Sequence, residues 1–215
     1  KWLADRYGHE NVSGSDNTST NFPQIITSRY PITRVMGLTA SQTGGHPAGL
    51  YKINCGEDVY LLSMHLTPGL TDAANDTQRL NEIKKFCQYI IPYQAGNFLM
   101  MGDFNTVSPH DKWYYDGHKY PNMTSDPYQA LRYLHDSTTL KDVIHESYPG
   151  DFLSSVREDT QRIDYMYASP KMIQRLKTAD IMIDEWIKLE IGPLEGQYLC
   201  VPSDHRPIIA DYSFE

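Results

Sequence analysis

The sequence predicts an α/β protein whose strands build mixed, mostly antiparallel sheets. Two observations carry this. Several strand-like apolar runs follow one another with only Gly, Pro and Asn between them, the pattern of hairpins rather than of a doubly wound parallel sheet. One long segment, residues 72 to 91, changes to a helical period. A third observation sets the scale. The chain has 215 residues, 40% hydrophobic and 21% charged, enough for one globular domain over 1–215 with a core that needs no disulfide or metal staple.

The elements follow in order. "WLADRYG" reads as the end of an amphipathic helix closed by Gly8. Residues 13 to 21, "SGSDNTSTN", read as a polar loop. The runs "PQIITSRYPI", "RVMGLTAS", "GLYKIN" and "DVYLLSMHL" read as strands. In 72 to 91, Leu80, Ile83, Phe86, Cys87, Ile90 and Ile91 recur at helical spacing, with Arg79, Glu82 and Lys85 assigned to the opposite, solvent face. Pro92 ends that helix. "NFLMMG" is the next strand. Residues 108 to 138 form an aromatic-rich insertion with a short helix near 126 to 135. "RIDYMYAS", "ADIMIDEWIK" and "RPIIADYSF" are the remaining strands.

The formal net charge of -8 does not attract nucleic acid at long range. No apolar run is long enough to span a membrane. Cys55, Cys87 and Cys200 show no C-x-x-C spacing, so neither a zinc site nor a thioredoxin-type motif is indicated. N-x-[ST] sequons at Asn11, Asn17, Asn75 and Asn122 lean toward a secreted or extracytoplasmic chain and do not decide it. A monomer is expected.

Polar residues interrupt apolar strand ends in four places: His65 in "YLLSMHL", Asp103 with Asn105 in "MGDFN", Asp164 in "QRIDYMYAS", and Asp204 with His205 in "VPSDHRPIIADY". A carboxylate at the end of a buried run is costly unless it has a task or a partner. Each has a plain structural reading. Asp103 and Asn105 can start a turn, His65 can be a satisfied core histidine, Asp164 can pair with Arg162, and "SDH" can be a turn before an edge strand. Taken together, acids, amide and imidazoles at strand ends are expected to converge on one site.

The motifs "SRYPI" (28 to 32), "SMHL" (63 to 66), "MGDFN" (101 to 105), "RIDYMYAS" (162 to 169) and "SDHRPI" (203 to 208) resemble, in order and spacing, those of the endonuclease/exonuclease/phosphatase superfamily. That group includes pancreatic deoxyribonuclease, apurinic endonucleases, neutral sphingomyelinases, inositol polyphosphate phosphatases and deadenylases. The resemblance implies a deoxyribonuclease-like, four-layer α/β/β/α sandwich and metal-dependent hydrolysis of a phosphoester by an activated water. It implies His205 as general base or as the group that positions the water, and Asp164 as the acceptor of its other ring N–H. Asp103 would orient or deprotonate the water, Asn105 and His65 would donate to phosphate oxygens, and Asp204 with Asp103 would hold Mg²⁺ or Mn²⁺. The chemistry is consistent with these residue types: charge develops on phosphoryl oxygens and must meet donors and a hard, oxygen-liganded cation.

Members of the superfamily begin with a strand carrying an Asn and a second strand ending in a metal-binding Glu. Neither matches here, nor does Glu10 or Asp16 stand in a similar context, so the domain is expected to be N-terminally incomplete, with weak metal binding. Trp113, Tyr114, Tyr115, Tyr120 and Tyr128 form a possible substrate wall, Trp113 and Tyr115 foremost, or else a self-packed loop. Lys112, His118, Lys119 and Arg132 are offset by Asp111, Asp116 and Asp126, and no Lys/Arg stripe is present. The expected substrate is a phosphorylated small molecule, a sugar phosphate or a lipid head group. A nuclease acting on DNA or RNA is the alternative, and a catalytically impaired binding module of the same fold a second one.

Overall fold

The computed structural model describes residues 2–14, 24–70, 72–118, 126–156, 159–183 and 203–214. The expected strand at 179 to 188 therefore falls partly outside the described residues, as do Asn17, Tyr120, Asn122 and Cys200. Helix α1 (Trp2–Tyr7) ends at Gly8 as expected. Strands β1 (Asn11–Gly14) and β2 (Ile25–Ser28) form an antiparallel ribbon. The main sheet begins with β3 (Ile32–Leu38), followed by the single-turn helix α2 (Ala40–Thr43), β4 (Ala48–Asn54) and β5 (Asp58–His65). Helix α3 (Ala73–Ile90) then leads to β6 (Phe98–Asp103). The insertion holds a 3₁₀ turn at Pro109–Asp111, α4 (Lys112–His118) and α5 (Gln129–Ser137). The chain continues through β7 (Lys141–Asp142), α6 (Val143–Ser147), β8 (Asp164–Ala168), α7 (Pro170–Ile173), β9 (Leu176–Ile181) and β10 (Ile208–Tyr212).

Six strands share one sheet in the order β3-β4-β5-β6-β8-β7. All its pairs are antiparallel except β5 with β6, which α3 joins as a crossover. Both faces of this sheet are covered, so its central strands are apolar on both sides. Leu62, Met64, Phe98, Met100, Tyr165 and Tyr167 face Ile83, Phe86 and Ile90 of α3 and Leu131 and Leu134 of α5. Val59, Leu61, Leu99, Met166 and Ala168 face the other way, against Ala179 and Ile181 of β9, Ile208 and Ala210 of β10, and Ile26 of β2. Each fully buried side chain of this kind contributes about 1.5–3 kcal/mol. Strands β9 and β10 form a second antiparallel ribbon, and α1 packs against β2. The mixed-sheet α/β layering follows the expected architecture. No described helix is long and apolar enough to cross a membrane.

Two details depart from the sequence reading. Arg79 and Glu82, assigned to the solvent face of α3, are 0% and 1% exposed, while Ile91 is 53% exposed. Strand β9 starts at Leu176 rather than at 179: Lys177 and Thr178 are both exposed and only Ala179 and Ile181 are buried, so its first half carries no apolar run to mark it.

Candidate active site

Strand register builds the site. His65 stands opposite Asp103 across the parallel β5–β6 pair, and Asp103 opposite Asp164 across the antiparallel β6–β8 pair. Residues two apart on a strand share a face. His65 continues the series Val59, Leu61, Ser63; Asp103 continues Leu99, Met101; Asp164 begins Met166, Ala168. The three side chains therefore leave the sheet on one face, the one turned toward the ribbons, where the apolar series of each strand gives out. A cleft of about 270 Å³ lies there, lined by Ser63, Met101, Asp103, Asp164, Met166, Arg206 and Ile208.

Gly102 is what lets β6 deliver Asp103. Its φ is +146°, and a Cβ at this position would strike the backbone of Met64 on β5. Past Asp103 the chain turns through Asn105, a non-glycine residue at φ +46°, a conformation Asn tolerates. The Asn105 backbone N–H donates to Asp103 Oδ1 at 2.8 Å, and its side-chain amide donates to Asp103 Oδ2 at 3.0 Å and to the Leu66 carbonyl at 3.1 Å. The turn reading of "GDFN" holds, and the turn fixes the Asp103 carboxylate at the strand end. Asn105, expected to donate to a phosphate oxygen, has both amide hydrogens engaged and holds Asp103 in place.

His205 reaches the row from the segment before β10. It bridges to Val156 in antiparallel fashion, while Arg206 N–H donates to Ser155 O at 2.8 Å. His205 Nδ1 lies 2.9 Å from Asp164 Oδ2 and 3.1 Å from Oδ1, which leaves Nε2 as the ring nitrogen for chemistry. Asp164 is itself held: Ser155 Oγ donates to its Oδ2 at 2.7 Å and accepts from the backbone N–H groups of Ile163 and Asp164. Nothing in the sequence marks Ser155 for this. Arg162 does not pair with Asp164. It lies buried between Asp111 and Asp142, at 2.8 Å from each, with its guanidinium over the Tyr165 ring.

The electrostatics follow from this packing. Burial and then the neighbouring Asp164 charge push Asp103 up to about 7. The hydrogen bond to Asp164, partly opposed by burial, raises His205 to about 9. Burial first, then His46, lowers His65 to about 4. His65 Nε2 stands 3.4 Å from Asp103 Oδ2, and its ring packs against that of His46, with centroids 4.8 Å apart. His46 was not singled out in the sequence.

Asp103, Asp164 and His205 offer ligand atoms within 4.8 Å of one another. Two carboxylates and an imidazole suit a hard or borderline divalent cation. Asp204, expected as a metal ligand, is exposed and outside this cluster. Tyr115, expected to touch substrate, is 3% exposed, packs with Tyr128, Val156 and Ile163, and its hydroxyl accepts from the Arg162 N–H. Its turn of α4 faces the core. Trp113 on the same helix is 52% exposed.

No protein-family profile matches the chain, and no curated protein does. Solved structures do. The 3′ phosphatase NExo from Neisseria, bound to a product DNA hairpin, is 18% identical with a TM-score of 0.74, over 99% of this chain and 82% of that one. An AP endonuclease from Archaeoglobus fulgidus is 18% identical with a TM-score of 0.70, over 97% and 80%. An endonuclease/exonuclease/phosphatase family protein from Bacteroides thetaiotaomicron is 14% identical with a TM-score of 0.59, over 97% and 76%. This chain has the endonuclease/exonuclease/phosphatase fold. Within that fold, the residues brought together here are those of the "SMHL", "MGDFN", "RIDYMYAS" and "SDHRPI" motifs.

Proposed function

We propose that the chain hydrolyses a phosphoester with water, assisted by a divalent cation. The carrying observation is the row of His65, Asp103 and Asp164 on three adjacent strands, completed by His205 with its Nδ1 on Asp164. In this reading Asp103, fixed by the Asn105 turn at the end of β6, orients the attacking water and accepts its proton. His205, held in one orientation by Asp164, presents Nε2 to the phosphoryl group, and its raised pKa favours a donor there. His65 stands beside Asp103 as a further donor. Asp103 and Asp164, with His205 beside them, would hold Mg²⁺ or Mn²⁺, which when bound supplies positive charge to the phosphoryl oxygens.

The finer reading is a small phosphoester, a sugar phosphate or a lipid head group. It rests on the net charge of -8 and on the paired state of basic residues in the insertion: Lys112 with Asp116 and Arg132 with Asp126. The names of two structural neighbours, a 3′ phosphatase with a DNA hairpin and an AP endonuclease, favour a second reading, a nuclease. Hydrolysis of bis(para-nitrophenyl) phosphate, para-nitrophenyl phosphate, and duplex DNA carrying a 3′ phosphate or an abasic site, each with Mg²⁺, Mn²⁺ or EDTA, separates them. Turnover of the small esters above that of DNA supports the first reading, and the reverse order the second. No turnover of any substrate with either cation would overturn both.

A further inference from the structure

The buried polar face of α3 stands apart from the reaction yet touches the two segments that carry the site's paired histidines. The chain leaves the sheet after His65, and two residues later all three polar groups of Thr67 are taken by α3. Its N–H donates to Glu82 Oε2 at 3.0 Å, its hydroxyl to Glu82 Oε1 at 2.5 Å, and its carbonyl accepts from Arg79 Nη1 at 2.9 Å. Arg79 Nη1 also donates to the Gly69 carbonyl at 3.0 Å, and its Nη2 pairs with Asp76. On the other side, Gln78 donates to the Gly44 carbonyl and, at 3.2 Å, to Glu82 Oε1. The same Glu82 carboxylate fills the place a Cβ would occupy on Gly45. Thr43 Oγ1 donates to the His46 carbonyl at 2.8 Å and accepts from Gly45 N–H.

One carboxylate, 1% exposed, is therefore wedged between the Gly44–His46 turn and the His65–Thr67 strand end, and the rings of His46 and His65, one carried by each segment, pack on each other. A buried carboxylate is retained at a cost unless its hydrogen bonds are met. Here they are met by the backbone and hydroxyl of a residue two positions from His65. Surface solubility does not require this, and neither does the apolar packing of α3, which Ile83, Phe86 and Ile90 supply.

We propose that Glu82, with Arg79 and Thr67, is a positioning device: α3 fixes His65, and through Gly45 the His46 ring packed on it, at the angle the site uses. Glu82 touches no substrate. Its effect passes through two loop segments to one imidazole. The activity arm of the test rests on the phosphoester reading; the structural arm does not.

Three variants of the full chain test it: Glu82→Gln, Thr67→Val, and Gly45→Ala, which pushes on the carboxylate from the opposite side without altering charge. Each is followed by thermal unfolding, by NMR of the ring signals of ¹⁵N-labelled histidines, and by turnover of bis(para-nitrophenyl) phosphate with Mn²⁺. Folded variants should show displaced or broadened His65 and His46 ring signals, with the His110 and His145 signals unchanged. Turnover should fall on the order of 10- to 100-fold with little change in KM, the effect of a misplaced group, and Thr67→Ser should restore both. Folded variants with wild-type His65 signals would overturn the proposal. A wild-type chain that hydrolyses nothing, while His65 still responds in the variants, leaves the positioning role standing and rejects the phosphoester reading instead. Should Glu82→Gln fail to fold, Thr67→Val, which removes a single hydroxyl, carries the same decision.

Discussion

Asp164 holds two relationships at once, and they are separable by substitution. Ser155 Oγ fixes one of its oxygens while His205 Nδ1 lies against both. Asp164→Asn keeps the shape but lets an N–H face the imidazole, which selects the wrong tautomer. In the serine-protease case the equivalent change costs about 10⁴ in turnover. In the proposed reaction a cation would share the work, so the expected loss is on the order of 10² to 10³, and His205→Ala should lose at least as much. The double variant should be little worse than His205→Ala alone, because residues acting as a unit are non-additive. Turnover of the two singles and the double decides this; losses that multiply would separate the two residues. An NMR titration gives an independent check. The His205 pKa, about 9 when paired, should fall to its ordinary value or below in Asp164→Asn. Ser155→Ala should lower it less, since it loosens Asp164 without removing its charge.

At the scale of elements, the β5, β6 and β8 strands are legible because each carries apolar residues on both faces and has a polar residue at one end. That pattern gives the candidate site His65, Asp103 and Asp164 before any register is known, and the polar residues before the last apolar run add His205. It could not give α3 correctly. A helical wheel sends Arg79 and Glu82 to solvent because their partners are backbone groups of Thr67 and Gly69, distant in sequence and silent in any periodicity. Tyr115 was misread for the opposite reason: aromatic residues in an insertion suit a substrate wall and a packed loop equally, and only the turn of α4 decides. Ser155 and His46 carried no signal, since a serine beneath a carboxylate and a histidine after two glycines are ordinary sequence. Gly102 carries an element-scale prediction. Gly102→Ala places a Cβ into the Met64 backbone at a positive φ, so β5 and β6 must separate where His65 faces Asp103. A destabilisation of at least about 2 kcal/mol is expected, read from the urea midpoint. A wild-type midpoint would mean that the two strands are not held at this register.

The whole molecule combines titrating groups of opposite sense, and its stability should therefore peak near neutral pH. Burial lowers His65 and His135 to about 4 and lowers His110 as well. His135 sits against the Tyr167 hydroxyl at 3.0 Å, and His110 is stacked between His135 and His145. A histidine held below its ordinary value binds fewer protons folded than unfolded. Its contribution is complete above about pH 6.5 and is lost as pH falls toward 4, on the order of 2–3 kcal/mol for His135. His205 and Asp103 run the other way. Raised to about 9 and about 7, they bind more protons folded than unfolded: the His205 contribution is lost between about pH 6.5 and 9 and forms the alkaline limb, while that of Asp103 is lost between about pH 4 and 7 and partly offsets the histidines on the acid limb. Urea midpoints of the metal-free chain in EDTA, from pH 4.5 to 9.5, should trace a dome. His135→Phe keeps the stacked ring and removes its titration, so it should flatten the acid limb and leave the alkaline limb alone. Asp164→Asn should flatten the alkaline limb through His205, and it should also shift the acid limb, because the Asp164 charge bears on Asp103 and His65. If stability rose steadily toward pH 4.5, the buried histidines would be charged in the folded chain and the stack would be held by something other than neutral ring packing. If His135→Phe moved the alkaline limb as well, the site and the histidine stack would be coupled rather than two independent parts of one fold.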